Sequence, residues 1–472
     1  MHLERKRLVA PYKVMQGNKS DSINLIYKFE EDVFDPDDPA SINLAEMIAA
    51  QAALNYGLFC KKIIFHGSFD KYDRRFIIQM AENTAKEIYV KKFLEPNPFL
   101  IGKAACLPTV KQVSYLQSKI IFDTQKAKAN KIIWDVDHSC YAVLSSGGKD
   151  SLLSFGLLDE LGFDTHPIFI NESGRHWYTA LNSFRYFTHH YPNTSRVWTN
   201  ADRVFNWMLG HLPFIRQDFA RFRADEYPIR LWTVAVFIFG ALPIIRKRGI
   251  GRIIIGNEYD TTRRMTHKGI PHYDGLYDQS RYFDNALTHY YQRKGWGLTQ
   301  FSFIRPLAEL SIQKILVERY PKLQKHQVSC HATHIAHSRA LPCGDCEKCR
   351  RIVGMLMALG ADPQRCGYTK RQISNVLIKL STTQLRQDAA SAEHLAFILK
   401  KKGLIPSSSD GNLTLREYPQ IAKLMFDDEQ SISGEIPSDL RQRLFSIYLN
   451  HVDGIVKRIG KKWVDIDREQ IS

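Results

Sequence analysis

Between about residues 131 and 361 the chain alternates short apolar runs of strand character with longer amphipathic stretches of helical period. That alternation confines it to a parallel sheet covered by helices. Tyr141 to Leu144 reads as strand, Ser151 to Leu161 as helix, His166 to Ile170 as strand, Arg175 to His190 as helix and Arg196 to Thr199 as strand. Two helices, Asp202 to Phe222 and Tyr227 to Lys247, and a strand at Arg252 to Ile255 continue the pattern. In such a sheet ligands collect outside the carboxyl ends of the strands. Asn171, Glu172, Gly256, Asn257, Glu258 and Asp260 sit at those ends and are candidates for a site.

The first strand runs directly into SGGKDS, Ser146 to Ser151. Gly147 and Gly148 permit positive φ and let backbone N–H groups approach an anion closely, and the helix start adds free donors and a favourable dipole. Lys149 brings a cation, while Asp150 and Ser151 can cap the helix and help place a magnesium ion or leaving phosphates. A plain glycine turn between strand and helix is the rival explanation. The spacing is neither GxxxxGK[ST] nor GxGxxG.

Cys330, Cys343, Cys346 and Cys349 form a C-x12-C-x2-C-x2-C set. Thiolates so spaced suit one tetrahedral zinc, and four of them leave no open position for a catalytic water, so the metal is expected to be structural. His331, His334 and His337 are nearby substitutes for one ligand, and an iron–sulfur cluster is the alternative occupant.

In QFSFIRPLAEL, Gln300 to Leu310, a short strand is expected to end in Arg305, with Pro306 at the start of a helix spanning Glu309 to Tyr320. Arg305 would then meet phosphate or carboxylate at the sheet edge; a structural salt bridge is its other role. In GNEYD, Gly256 to Asp260, the two acids could hold magnesium or a substrate amine, and Asn257 an amide or sugar hydroxyl. Arg263 and Arg264 would suit a bulky anionic substrate. His267, Lys268 and His272 occupy a polar stretch close behind.

Three parts are expected: an N-terminal α+β domain (1–130), the sheet domain (131–366) and a helical C-terminal region (367–472) broken at Pro406 to Asn412. Basic clusters at Lys400 to Lys402 and Lys457 to Lys462 read as solvated helix faces or as contacts for an acidic partner. Lys plus Arg exceeds Asp plus Glu by 16 over the 472 residues, which favours anionic partners such as nucleotides, nucleotide sugars or nucleic acid. The basic first residues lack a signal-like apolar core, Leu231 to Ile245 is too short to span a bilayer, and the eight cysteines form no disulfide framework. A cytoplasmic protein is expected.

SGGKDS resembles the SGGxDS loop of the ATP-pyrophosphatase (PP-loop) superfamily, whose members hold ATP so that a substrate oxygen attacks the α-phosphate and pyrophosphate leaves. The cysteine cluster resembles that of 7-cyano-7-deazaguanine synthase, whose zinc is structural. With Ile255 to Tyr259, Gln279 to Phe283, Arg305 to Leu310 and Cys343 to Cys349, the stretch from Leu44 to Ala361 is most similar to the UDP-N-acetylmuramoyl-L-alanyl-L-glutamate epimerase family. YDTTRR, Tyr259 to Arg264, departs from that family's pattern.

The resemblance implies an α/β fold with a parallel-sheet PP-loop (HUP-like) domain. It implies an enzyme that uses ATP and Mg2+, carries a structural Zn2+, and adenylates a substrate carboxylate or carbonyl oxygen. Ser146, Gly147, Gly148, Lys149, Asp150, Ser151, Asn171 and Gly256 would bind the nucleotide, with Lys149, Asp150 and Arg305 acting at the reacting phosphate. Asn257, Glu258, Asp260 and Arg264 would face the acceptor. Epimerisation of a terminal L-glutamate is physically coherent, because adenylation removes the carboxylate charge that opposes a carbanion. The alternatives are a deazaguanine synthase-like or other PP-loop enzyme modifying a base, tRNA or protein terminus, and a basic nucleic-acid-binding protein.

Overall fold

A computed structural model describes residues 1–123, 133–172, 174, 177–221, 227–273, 275–330, 332–385, 387–405 and 413–471. The expected domain boundary at 130/131, the helix ends at Arg175 and Phe222, His331, and the break at Pro406 to Asn412 lie outside the described residues.

The N-terminal stretch forms β1 (His2–Glu4), β2 (Arg7–Gln16), β3 (Lys19–Phe29), α1 (Pro39–Ala50), β4 (Lys62–His66), α2 (Lys71–Ile88) and β5 (Lys119–Asp123). The middle follows as β6 (Asp137–Leu144), α3 (Lys149–Glu160), β7 (Asp164–Glu172), α4 (Trp177–His190), β8 (Ser195–Thr199), α5 (Ala201–Gly210), α6 (Val234–Lys247) and β9 (Ile250–Ile254). Next come the hairpin β10 (Arg264–His267) and β11 (Ile270–Tyr273), then α7 (Arg281–Lys294), β12 (Thr299–Phe301), α8 (Glu309–Arg319) and α9 (Pro321–Gln324). The remainder is β13 (His334–Ala336), β14 (Arg339–Leu341), α10 (Glu347–Ala358), α11 (Lys370–Leu380), α12 (Ala389–Lys401), β15 (Leu424–Phe426), α13 (Ser438–Leu449), β16 (Ile455–Ile459) and β17 (Lys462–Asp465).

The architecture is mixed α/β around a mostly parallel sheet of order β1-β2-β3-β8-β7-β6-β9-β12. Strands β8, β7, β6, β9 and β12 run parallel. Counted from β6, their order is third, second, first, fourth, fifth, the doubly wound arrangement in which chain direction diverges between first and fourth strands. Alternate side chains of one strand enter different cores: Tyr141 and Val143 pack with α3, α8 and α13, whereas Ala142 packs with α1, α2 and α6. Phe169 and Ile168 split the same way, as do Ile254 and Ile253. Both faces being covered explains why these strands read as continuous apolar runs.

Two sequence expectations change here. The first three strands of the 1–130 segment extend the central sheet, β3 pairing antiparallel with β8, and α1 and α2 share a core with α6. The C-terminal region is not wholly helical: β15 pairs parallel with β16, and β16 turns back into β17. Alternation through IVKRIGKKWVD and a positive φ of 61° at Gly460 set this two-residue hairpin, so the Lys457 to Lys462 cluster lies on a hairpin and not on a helix face.

Candidate functional site

The glycine loop closes on itself through local hydrogen bonds. Ser145 N–H donates to Ile168 O at 2.9 Å, and the Ser151 hydroxyl donates to Gly148 O at 3.2 Å while accepting from Ser146 N–H at 3.4 Å. Gly148 is the N-cap of α3, leaving the first-turn N–H groups free to face a ligand. Gly147 has φ +78°, and a Cβ there would lie 2.5 Å from Thr179 O and 2.8 Å from the Ala180 Cα. Gly147 O accepts from Val328 N–H at 3.2 Å, tying the loop to the segment that carries Cys330.

The ends of β6 and β9 adjoin, so the loop and the Gly256 to Asp260 stretch meet at the point where the chain diverges. Gly256 permits that approach: a Cβ there would come 2.8 Å from the Asp150 Cβ. Between them opens a cleft of about 920 Å³, within the size range of small-molecule sites. Ile168, Ile170, Trp177, Ala180, Val234 and Phe237 give it an apolar lining, and an ionic cluster within it centres on Lys149.

Lys149 is buried, and its ammonium contacts Asp150 at 2.8 Å, Glu258 at 3.0 Å and Glu309 at 3.3 Å. Burial alone would push its pKa down, but the three carboxylates hold it well above the ordinary lysine value. Burial raises Glu258 well above the carboxylate range despite Lys149, and raises Asp260 to about 6 with help from Glu309 and Asp388. Glu309 goes the other way: burial is outweighed by Lys149 and Arg351, which donates to it at 2.5 Å. Asn257 Nδ2 and Ser145 Oγ line the same cleft, buried and without a partner among the described residues, which is the state of groups awaiting a ligand.

Ser146, Gly148, Lys149, Asp150, Ser151, Gly256, Asn257, Glu258 and Asp260 are thus brought to one cleft. Other expected residues fall elsewhere. Arg305 is 3% exposed and locked by Asp284 at 2.6 Å and by the Thr261 and Thr262 hydroxyls, at a separate cavity of about 320 Å³. β12 ends at Phe301, so Arg305 turns back beneath the loop after β9. Asn171 faces the opposite side of the sheet, beside Lys28 and Trp198, while its neighbours Ile170 and Glu172 line the cleft, as strand alternation requires. Arg264 is exposed on the β10–β11 hairpin, and neither it nor His267, Lys268 or His272 is among the described residues lining the cleft.

Several functional candidates are not singled out by sequence. Glu309 stands within RPLAEL and Arg351 lies two residues after the last cysteine of the set, but nothing local marks either as facing Lys149. Asp388 comes from the C-terminal region and still lines the cleft, where it also caps α12 and pairs with Arg263. Glu172 pairs with buried Arg230 at 3.4 Å, and the Arg230 guanidinium lies 3.7 Å over the Tyr227 ring.

The four cysteine sulfurs all lie within 4.8 Å of one another, with separations of 3.6, 3.8 and 3.9 Å among those in contact. A tetrahedron with Zn–S bonds of about 2.3 Å has edges of about 3.8 Å, so the set is able to hold one zinc. A four-iron cluster, in which each thiolate binds a different iron, would need the sulfurs spread further. Cys330 Sγ accepts N–H bonds from Ala332 and Cys343, and Cys343 Sγ from Asp345 and Cys346, as thiolates do. Cys330 also lines the cleft. His334 lies on β13, outside this group. Among the described residues no helix is long and apolar enough to cross a membrane.

No family model matches the chain. A stretch of 60 residues is 37% identical to a 7-cyano-7-deazaguanine synthase of Chlorobium phaeobacteroides. The match takes in 13% of this chain and 26% of the relative, so the chain spans about a quarter of the length of the curated relative it matches.

Proposed function

We propose that the protein is an ATP-using enzyme of the PP-loop type, of the class that modifies a base, a tRNA or a protein terminus. The observation that carries this is the SGGKDS loop at the divergence of β6 and β9, facing a cleft with both apolar and ionic lining residues. The partial likeness to a deazaguanine synthase, together with the zinc-sized cysteine set beside that cleft, supports it.

In this proposal the nucleotide base lies against Ile168, Ile170 and Trp177, and the phosphates lie over Ser146 to Ser151, where backbone N–H groups and the α3 dipole offset their charge. Asp150, Glu258 and Asp260 would hold Mg2+, which when bound offsets phosphate charge. A substrate oxygen attacks the α-phosphorus, the bond to the bridging oxygen breaks and pyrophosphate departs. A second nucleophile then takes the place of AMP. The four-cysteine metal has no part in bond making and fixes the wall of the cleft.

Epimerisation of a muramoyl-dipeptide glutamate is set second. Arg305, expected at the reacting phosphate, is locked to Asp284, and no histidine for proton transfer is among the described residues lining the cleft. Incubation with ATP, Mg2+ and candidate acceptors in deuterated water tests both readings. Acceptor-dependent pyrophosphate release without deuterium at Cα supports the proposal, and release with it restores epimerisation. Failure of the protein to bind ATP would sink both.

A further inference from the structure

Two cations share one buried carboxylate oxygen. Glu309 Oε1 accepts from Arg351 at 2.5 Å and lies 3.3 Å from Lys149 Nζ. Glu309 and Lys149 are both more than nine-tenths buried as side chains, while Arg351 is three-quarters buried and lines the cleft. Lys149 Nζ donates to Asp150 and Glu258 and forms a third ion pair with Glu309. A phosphate arriving at the loop can gain the lysine only if one of these contacts is given up. Among the described residues Asp150 and Glu258 have no second ion-pair partner, whereas Glu309 has one in Arg351.

We infer that Arg351 is a positioning residue that takes over Glu309 when Lys149 turns to the nucleotide phosphates. The inference rests on the loop being the nucleotide site. An unpaired carboxylate left in a buried position is strongly unfavourable, whereas one passed between two cations keeps its charge compensated throughout. Arg351 suits that task because its guanidinium offers several donors on a fixed frame. The frame is anchored: Cys346 is the N-cap of α10 and Cys349 sits in its first turn, two residues before Arg351. Lys149 is therefore held in the ligand-free site by a latch whose second jaw belongs to the metal-binding helix.

The test uses the zinc-loaded full-length protein and two readouts: affinity for a non-hydrolysable ATP analogue with Mg2+, and the rate at which an acylating reagent labels Lys149 without nucleotide. Arg351→Gln should weaken analogue binding by about tenfold or more. It should also slow labelling, because Glu309 then holds Lys149 alone. Glu309→Gln should speed labelling, and the Arg351→Gln, Glu309→Gln double variant should recover analogue binding to within about threefold of wild type, the signature of coupled residues. A mere packing role for Arg351 would open the site, speed labelling in Arg351→Gln and give no rescue, and either result overturns the inference. If Arg351→Gln does not fold, unchanged labelling in Glu309→Gln overturns it equally. If wild type binds no analogue, the proposed function fails, while the labelling rates still decide on the latch.

Discussion

Arg305 and Asp284 meet at 2.6 Å with each side chain less than 5% exposed, beneath the loop that follows β9. Gln300 Nε2 donates to the second Asp284 oxygen at 2.7 Å, and Arg305 spends its other amino group on Thr261 and Thr262. The pair is a structural pin: it fixes the Thr261 end of the loop whose Asn257, Glu258 and Asp260 line the cleft. Arg305→Ala is expected to destabilise the fold by about 3–5 kcal/mol, because it strands a buried carboxylate. Joint replacement of Arg305 and Asp284 by apolar residues of similar volume should cost less than either single change. Urea denaturation of the three variants checks this, and a single change within about 0.5 kcal/mol of wild type would refute it.

The two loop glycines should respond differently. At Gly147 a methyl group meets backbone at 2.5 Å and φ is +78°, so Gly147→Ala should distort the loop and weaken ATP-analogue binding by at least about tenfold. At Gly148 the nearest atom to a Cβ is Ser146 Oγ at 3.5 Å and φ is −83°, so Gly148→Ala should leave the melting temperature unchanged within about 2 °C. Calorimetric titration and thermal melts of both variants give the comparison.

Asp260 titrates at about 6 because burial, then Glu309 and Asp388, disfavour its charge. Its folded value lies above its unfolded one, so its favourable contribution is complete below about pH 3.8 and is lost as pH rises through about 6. Asp260→Asn should therefore match wild type in stability near pH 3.5 and exceed it by about 3 kcal/mol above pH 7. Chemical denaturation across that range measures the difference, and a gap that is constant with pH would show that Asp260 does not titrate there.

The cysteine set should carry one zinc per chain. Cobalt substitution is expected to give intense thiolate-to-metal absorption with the visible bands of a tetrahedral ion. A brown protein containing iron and acid-labile sulfide would contradict the sulfur spacing. Chelation should lower the melting temperature and also weaken nucleotide binding, since Gly147 O and Glu309 are held by residues next to Cys330 and Cys349.

The loop, the alternation around it and the spacing of the cysteines were legible in the sequence because each is a local pattern with a local physical cause. Asn171 lies one residue from Ile170 and Glu172, which line the cleft, and in a strand one residue is the whole difference between two faces. Arg305 carried a phosphate-binder's chemistry, but its partner Asp284 lies on another element, and only the fold shows that the charge is already spent. Glu309, Arg351 and Asp388 were illegible for the same reason. The β15–β16–β17 sheet was hidden by strand lengths of three to five residues among stronger helical signals.

The walls of the cleft come from residue 144 through residue 388, with Lys91 added from the N-terminal stretch. During synthesis a growing chain would therefore display its glycine loop long before Glu309, Arg351 and Asp388 emerged to surround it. The proposed nucleotide binding would belong to the chain through residue 388 and not to the loop alone, so the appearance of binding in a series of progressively longer chains should come late and abruptly, after residue 388 rather than after residue 151.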